Sequence, residues 1–196
     1  FAGYDPFAAL KMASIYRAAM PLLAHRGLRR LAELLPKSAA NMSFDFKLRR
    51  FLQGMNCAPE LWNPTWLAPL DAKDIEEVFN EPVDTEDLYS EVLGLWRESP
   101  DKSLIDKTLE FYSNFYLPDG ILTKVDRAAM LNGLEVRSVF LDNDMVDFVR
   151  QLPASYKFDG KNRKIVLKKA AEGMVPDAIL NRPKKGFGVP LKSWLG

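Results

Sequence analysis

Two stretches of the chain carry charged side chains at spacings that suit chemistry. The first is RPKKGFGVPLKSW, Arg182 to Trp194, which sets Arg182, Lys184 and Lys185 beside Gly186 and Gly188. Glycines let a backbone approach a ligand closely. Fixed positive charge offsets the negative charge that builds on phosphoryl oxygens during transfer. Together they suit a loop that covers a polyphosphate. It is not a Walker A loop, because G-x-x-x-x-G-K-[ST] is absent. On composition alone the plainer reading is favoured, a solvated basic loop anchored by Phe187 and Trp194.

The second stretch is KVDRAAMLNGLEVRSVFLD, Lys124 to Asp142. On a helical wheel from residue 121, Ile121, Leu122, Val125 and Ala129 share one face, while Met130 and Leu134 lie nearly opposite. A helix apolar on two faces is expected to be buried on both. It nevertheless carries Lys124, Asp126 and Arg127, followed by Glu135 and Arg137. Buried charges need partners or a ligand. One reading is a structural ion network, with Asp126 or Glu135 against Arg137. The other is the polar wall of a substrate pocket. Spacing does not decide between them, and taken alone the network is favoured.

Other candidates are weaker. Cys57 and His25 are the single cysteine and histidine of the chain. A disulfide within the chain and a zinc site of Cys and His ligands are both excluded on numbers. Cys57 lies in a polar turn and His25 in a basic helix end, so surface or packing roles are expected for both. The basic aromatic segment 44–55 reads as an amphipathic helix with its charges in water. Asp142 reads as a helix cap before Met145, Val146 and Val149.

These residues are positioned by a chain of 196 residues, long enough for one domain with a sizeable core. Hydrophobic residues make up 47% and charged residues 27%, the balance of an ordinary globular protein. The net charge of +1 gives little bulk attraction for nucleic acid or anionic membrane. No apolar run is long enough to span a bilayer, and no signal peptide is recognised. A cytoplasmic location is expected.

Helical spacing recurs in PFAALKMASIYRAAM, DFKLRRFLQGM, DIEEVF, EDLYSEVLGLW and DKSLIDKTLEFYSNFY, and no run reads as a confident strand. The predicted class is therefore mostly α. Prolines fall at plausible helix boundaries, and Asp71, Asp84, Asp101, Asp119 and Asp142 sit where N-caps are useful. Pro118, Asp119 and Gly120 predict a turn and a helix start. Met12, Met20, Met42 and Met55 are expected to fill core gaps. YKFDGKNRK reads as a turn, and KIVLKKAAEGMVPDAIL as a helix, a break at Gly173 and Pro176, and a short second helix. PKSAANMS is read as a loop within one domain.

In this order the segments resemble the C-terminal part of the glutamine-hydrolysing asparagine synthetase family. KVDRAAMLNGLEVRSVFLD resembles the family's K-x-D-R-x-x-M-x-x-x-L-E-x-R-x-x-F-L-D run, with Val139 where proline is common. RPKKGFGVPLKSW resembles its terminal R-x-K-x-G-F-x-x-P-x-x-x-W loop. FAGYDPF resembles the stretch after S-G-x-G-x-D-E-L. Residues 15–110 match in character only.

The resemblance implies the helical C-terminal portion of an α/β ATP-pyrophosphatase domain, residues 1–196, with the glutaminase domain and phosphate loop outside it. It implies a carbon–nitrogen ligase that converts aspartate to asparagine through β-aspartyl-AMP, using ATP, Mg²⁺ bound by upstream ligands, and ammonia from glutamine. The family's catalytic lysine falls on Lys184, with Arg182, Lys185 and Gly186 around the phosphates. Lys124, Glu135 and Arg137 fall at the acceptor pocket or the ammonia path. Asp126 and Arg127 match as well, with a structural role at least as well supported. The isolated 196 residues are expected to be inactive.

The expected partners are small-molecule substrates, with a homodimer possible and no nucleic acid or membrane. Two other classes stay open at this point. A family relative could amidate a different carboxylate, such as a surface-polysaccharide sugar acid. A helical interaction module could have lost catalysis.

Overall fold

The computed structural model describes residues 1–20, 27–28, 30–32, 34–36, 38, 43–182 and 194. Among them the regular elements are all helices, beside an isolated antiparallel bridge between Phe158 and Arg163. The chain divides into two compact units, Phe1–Lys11 with Asp84–Lys169, and Met12–Val83 with Ala170–Gly196.

The first unit is built on aromatic rings. Phe7 sits 5.6 Å from Tyr112 and 6.2 Å from Phe158, centroid to centroid. Tyr4 stacks on Tyr112 at 4.9 Å, and Tyr116 meets both edge-on. Phe7, Tyr112, Phe111 and Phe158 are buried, as is Thr108. Rings of this size remove the most apolar area per residue from water, and edge-to-face pairs add to that. An ion pair closes the unit over a long sequence separation: Arg163 Nη1 donates to Asp5 Oδ1 at 2.7 Å. Burial pushes the Tyr112 phenol well above its ordinary pKa, with the neighbouring Tyr116, Tyr4 and Asp5 adding to the shift.

The expected turn at Pro118 is a correction. The helix Leu104–Phe111, capped by Ser103, runs straight into a π-helix over Tyr112–Leu122 with Pro118 inside it. The wider i→i+5 register is visible where Thr123 N–H donates to the Pro118 carbonyl. Side chains take up carbonyls in the preceding turn: Ser113 Oγ donates to Leu109 O and Asn114 Nδ2 to Glu110 O, both at 2.8 Å. Asp119 therefore lies within a helix and caps nothing. Asp101 also fails as a cap, because Ser103 holds that position for Leu104–Phe111.

Three other aspartate caps are as expected. Asp71 and Asp74 form a reciprocal capping box at the start of Ala72–Phe79, each backbone N–H donating to the other's carboxylate at 2.9 Å. Asp84 accepts from the Glu86 N–H, and Asp142 from those of Asp144 and Met145.

The second unit packs the helix Phe44–Gly54 against Trp62–Leu67. Trp62 is buried and stacks on Trp66 at 5.9 Å, and Phe51 stacks on Trp66 at 6.3 Å. Gly54 permits this approach, because a Cβ there would run into the Trp66 indole. Met12 is exposed and fills no core gap. Its helix, Asp5–Ala19, turns Phe7, Leu10 and Ala13 inward instead. Met42 lies outside the described residues, as does His25. The Cys57 carbonyl accepts from Arg17 Nη1 at 2.9 Å, and its Sγ lies 3.6 Å from Thr65 Oγ1, a packing role.

The predicted C-terminal helices are present. Ile165–Ala171 ends before Gly173, whose φ of 79° lies in the left-handed region, and Asp177–Leu180 follows Pro176.

Candidate functional site

The charged signature is carried by a sequence of short elements. The helix Thr123–Met130 continues directly from the π-helix, so its register is set by the aromatic cluster before it. It ends in a turn where Gly133 adopts φ 66°, a conformation that favours glycine. The chain then runs without helix through 135–138, makes one 3₁₀ turn at Val139–Leu141, and enters the helix Asn143–Gln151 under its Asp142 cap.

This non-helical segment brings two of the predicted residues together. Arg137 Nε donates to Glu135 Oε1 at 2.7 Å, and Arg137 Nη2 lies 2.5 Å from the same oxygen. The pair is not buried: the side chains are 68% and 87% exposed. Arg137 also lines a concavity of about 970 Å³, with Ser138, Val139, Asp142, Met145 and Phe148 around it. This wall mixes apolar surface with the guanidinium and the capping carboxylate.

The expectation that this stretch is buried on two faces is overturned. Leu122, Val125, Met130, Leu134 and Val136 are exposed, and Leu131 is 87% exposed. The core of this unit is filled by the rings of Phe7, Phe111, Tyr112 and Phe158, so the later helix keeps its apolar side chains at the surface. Lys124, Asp126 and Arg127 are exposed too, so no buried network forces their pairing. Lys124 is not among the residues lining the concavity.

Arg182 is exposed, just after the helix Asp177–Leu180 in the second unit. Lys184, Lys185 and Gly186 lie outside the described residues. Among the described residues, no three His, Cys, Asp or Glu side chains cluster to hold a metal ion.

One buried cation escaped the sequence reading. Lys157 is buried beside Phe158, and burial lowers its pKa against an opposing pull from Asp106. ASYKFDG carries no periodic signal, because a lysine in a loop gives no hint of burial.

Comparison with known proteins agrees with the signature. The chain is 40% identical over 98 residues to asparagine synthetase (glutamine-hydrolysing) 1 of Bacillus subtilis, a match covering 50% of this chain and 16% of that protein. It is 41% identical over 80 residues to a putative asparagine synthetase (glutamine-hydrolysing) of Mycobacterium tuberculosis, covering 41% of this chain and 12% of the relative. A match at 30% identity over 92 residues, 43% of this chain and 14% of the relative, is to the amidase ChyE of Penicillium rubens. The matches thus span less than a fifth of the length of these relatives. No solved structure matches the chain. The asparagine synthase family model matches residues 1–196. The chain belongs to the asparagine synthase family.

Proposed function

We propose that these residues form the helical C-terminal part of an ATP-dependent, glutamine-using ligase that makes asparagine from aspartate. The observation that carries the reading is the family match along residues 1–196. The charged signature and the basic loop lie inside that range.

In the proposed reaction the side-chain carboxylate of aspartate attacks the α-phosphorus of ATP. An oxygen–phosphorus bond forms, pyrophosphate leaves, and β-aspartyl-AMP results. Ammonia released from glutamine then attacks the acyl carbon. The carbon–nitrogen bond forms, the acyl–phosphate bond breaks, and AMP leaves as the nitrogen gives up a proton.

Negative charge spreads over the phosphoryl oxygens in the first step, so a positioned ammonium lowers that barrier. Lys184 takes this role, with Arg182, Lys185 and the Gly186 backbone holding the phosphates. Lys124, Glu135 and Arg137 shape the acceptor pocket or the ammonia path. Supporting that assignment, the Glu135 carboxylate holds the Arg137 guanidinium at the edge of the concavity. A carboxylate substrate would take the guanidinium edge that Glu135 leaves open or displace Glu135 from it. The described residues offer no metal cluster. The resemblance puts Mg²⁺ ligands upstream, and no step is assigned to the metal.

A second reading, which membership of the family allows equally, is the same adenylation chemistry on a different carboxylate.

The test is aspartate-dependent exchange of labelled pyrophosphate into ATP by the full chain, with wild type and Lys184→Ala side by side. Exchange in wild type, falling by about 10² or more in the variant, is expected. Exchange with other carboxylates but not aspartate selects the second reading. Exchange untouched by the substitution removes Lys184 from the chemistry.

A further inference from the structure

A carboxylate can reach Arg137 by an open edge of the guanidinium or by displacing Glu135, and the geometry of the present pair favours displacement. Arg137 Nε donates to Glu135 Oε1, and Nη2 lies against that same oxygen. The Nε–Nη2 edge of a guanidinium offers two parallel N–H groups to the two oxygens of a carboxylate. Glu135 brings both nitrogens to one oxygen, so it occupies the edge without matching it. A carboxylate free of the chain can place one oxygen on each nitrogen.

The pair is also easily opened. Both side chains stand in water, where ion pairs contribute little. Arg137 is among the residues lining the concavity and Glu135 is not. Release of Glu135 therefore leaves the whole fork free to turn into that space. Asp142 and Asp144 line the same concavity, Asp142 with Oδ1 on the N–H groups of Asp144 and Met145. With two anions and one cation on the wall, a ligand that carries an ammonium beside its carboxylate is better matched than a bare anion.

Resting on the reading of Glu135 and Arg137 as parts of the acceptor pocket, we propose that Glu135 is an internal stand-in for the acceptor's carboxylate. It holds the Arg137 fork while the concavity is empty and is displaced when an amino acid binds there. Glu135 is then a specificity-determining residue, because a ligand must hold the fork better than Glu135 does. A ligand without a carboxylate gains nothing from Arg137 to offset the loss of the pair, and so it is rejected.

The test is calorimetric titration of L-aspartate into the full chain without nucleotide, which reads binding whether or not the chain makes asparagine. Glu135→Gln keeps the side chain's size, removes its charge, and should tighten aspartate binding about threefold to fivefold. Arg137→Ala should weaken binding, and Glu135→Gln added to it should give no gain, because the effect runs through the guanidinium. Asp147→Asn removes an exposed carboxylate from the helix Asn143–Gln151 that does not line the concavity, and should leave the affinity nearly unchanged. Circular dichroism of each variant checks its fold. Weaker or equal binding by Glu135→Gln, the same gain from Asp147→Asn, or no binding of aspartate to any of these proteins would each overturn the proposal. Pyrophosphate exchange, measured separately, keeps the two readings apart. Exchange with aspartate but no gain in affinity from Glu135→Gln defeats the stand-in and leaves the ligase. Tighter binding in a chain that shows no exchange does the reverse.

Discussion

Two neighbouring stretches of the first unit use their side chains in opposite ways. Around Tyr112, rings from Phe7, Phe111, Tyr4 and Tyr116 close on one another within 4.9 to 5.6 Å. From Thr123 to Phe148, beginning one residue beyond the π-helix, charged and apolar side chains alike stand at the surface. Apolar content does not separate the two, since Val125, Met130 and Leu134 are as apolar as any core residue. Reach does: rings from distant parts of the sequence converge on Tyr112, and once that volume is filled no further core space is left for the next helix. The aromatic cluster holds the fold.

The largest effect expected from this contrast is at the cluster. Phe7→Ala should cost about 3–5 kcal/mol of stability, read from the urea midpoint. A loss under about 1 kcal/mol would mean that the cluster is not the core it resembles.

The exposed pair should behave differently. A double-mutant cycle on Glu135→Gln and Arg137→Ala should give a coupling between about 0 and 1 kcal/mol, as solvated ion pairs do. A coupling of several kcal/mol would place the pair in the fold's own framework and erase the contrast.

The smallest effect lies in the turn after Phe158. Asp159 accepts from the backbone N–H of Asn162 at 2.7 Å, from its side chain at 2.8 Å, and from the Lys161 N–H at 2.9 Å. These donors, the Asn162 backbone first, hold its carboxyl below the usual range at about 2. A depressed carboxylate stabilises the fold above its unfolded pKa, and that contribution is lost as pH falls through the folded value. The carboxyl resonance of Asp159 should therefore titrate near 2, and Asp159→Ala should flatten the stability profile between the ordinary carboxylate range and that point. Titration in the ordinary range would show that the turn opens in solution.

Much of this was legible from local pattern. Helical periodicity placed the main elements, Asp71, Asp84 and Asp142 cap as their spacing suggests, and Gly173 and Pro176 break the chain where expected. The misreadings share one cause. Pro118–Gly120 looked like a stop signal, but proline and glycine propensities were overridden by a π-helical register whose neighbouring carbonyls are taken up by Ser113 and Asn114. At the candidate site, the choice between Asp126 and Glu135 as the partner of Arg137 could not be made from spacing. The structure pairs Arg137 with Glu135 and leaves the pair solvated.

The amino-acid sequence by itself determined the helical class, the caps at Asp71, Asp84 and Asp142, and the membership of the asparagine synthase family, because periodicity, capping chemistry and a fixed order of charged residues are all local along the chain. Tertiary structure alone decided which apolar residues were buried. Burial depends on which distant side chains compete for the same volume: Phe7 and Phe158, far apart in sequence, meet in the core, and Met130 and Leu134 stay at the surface.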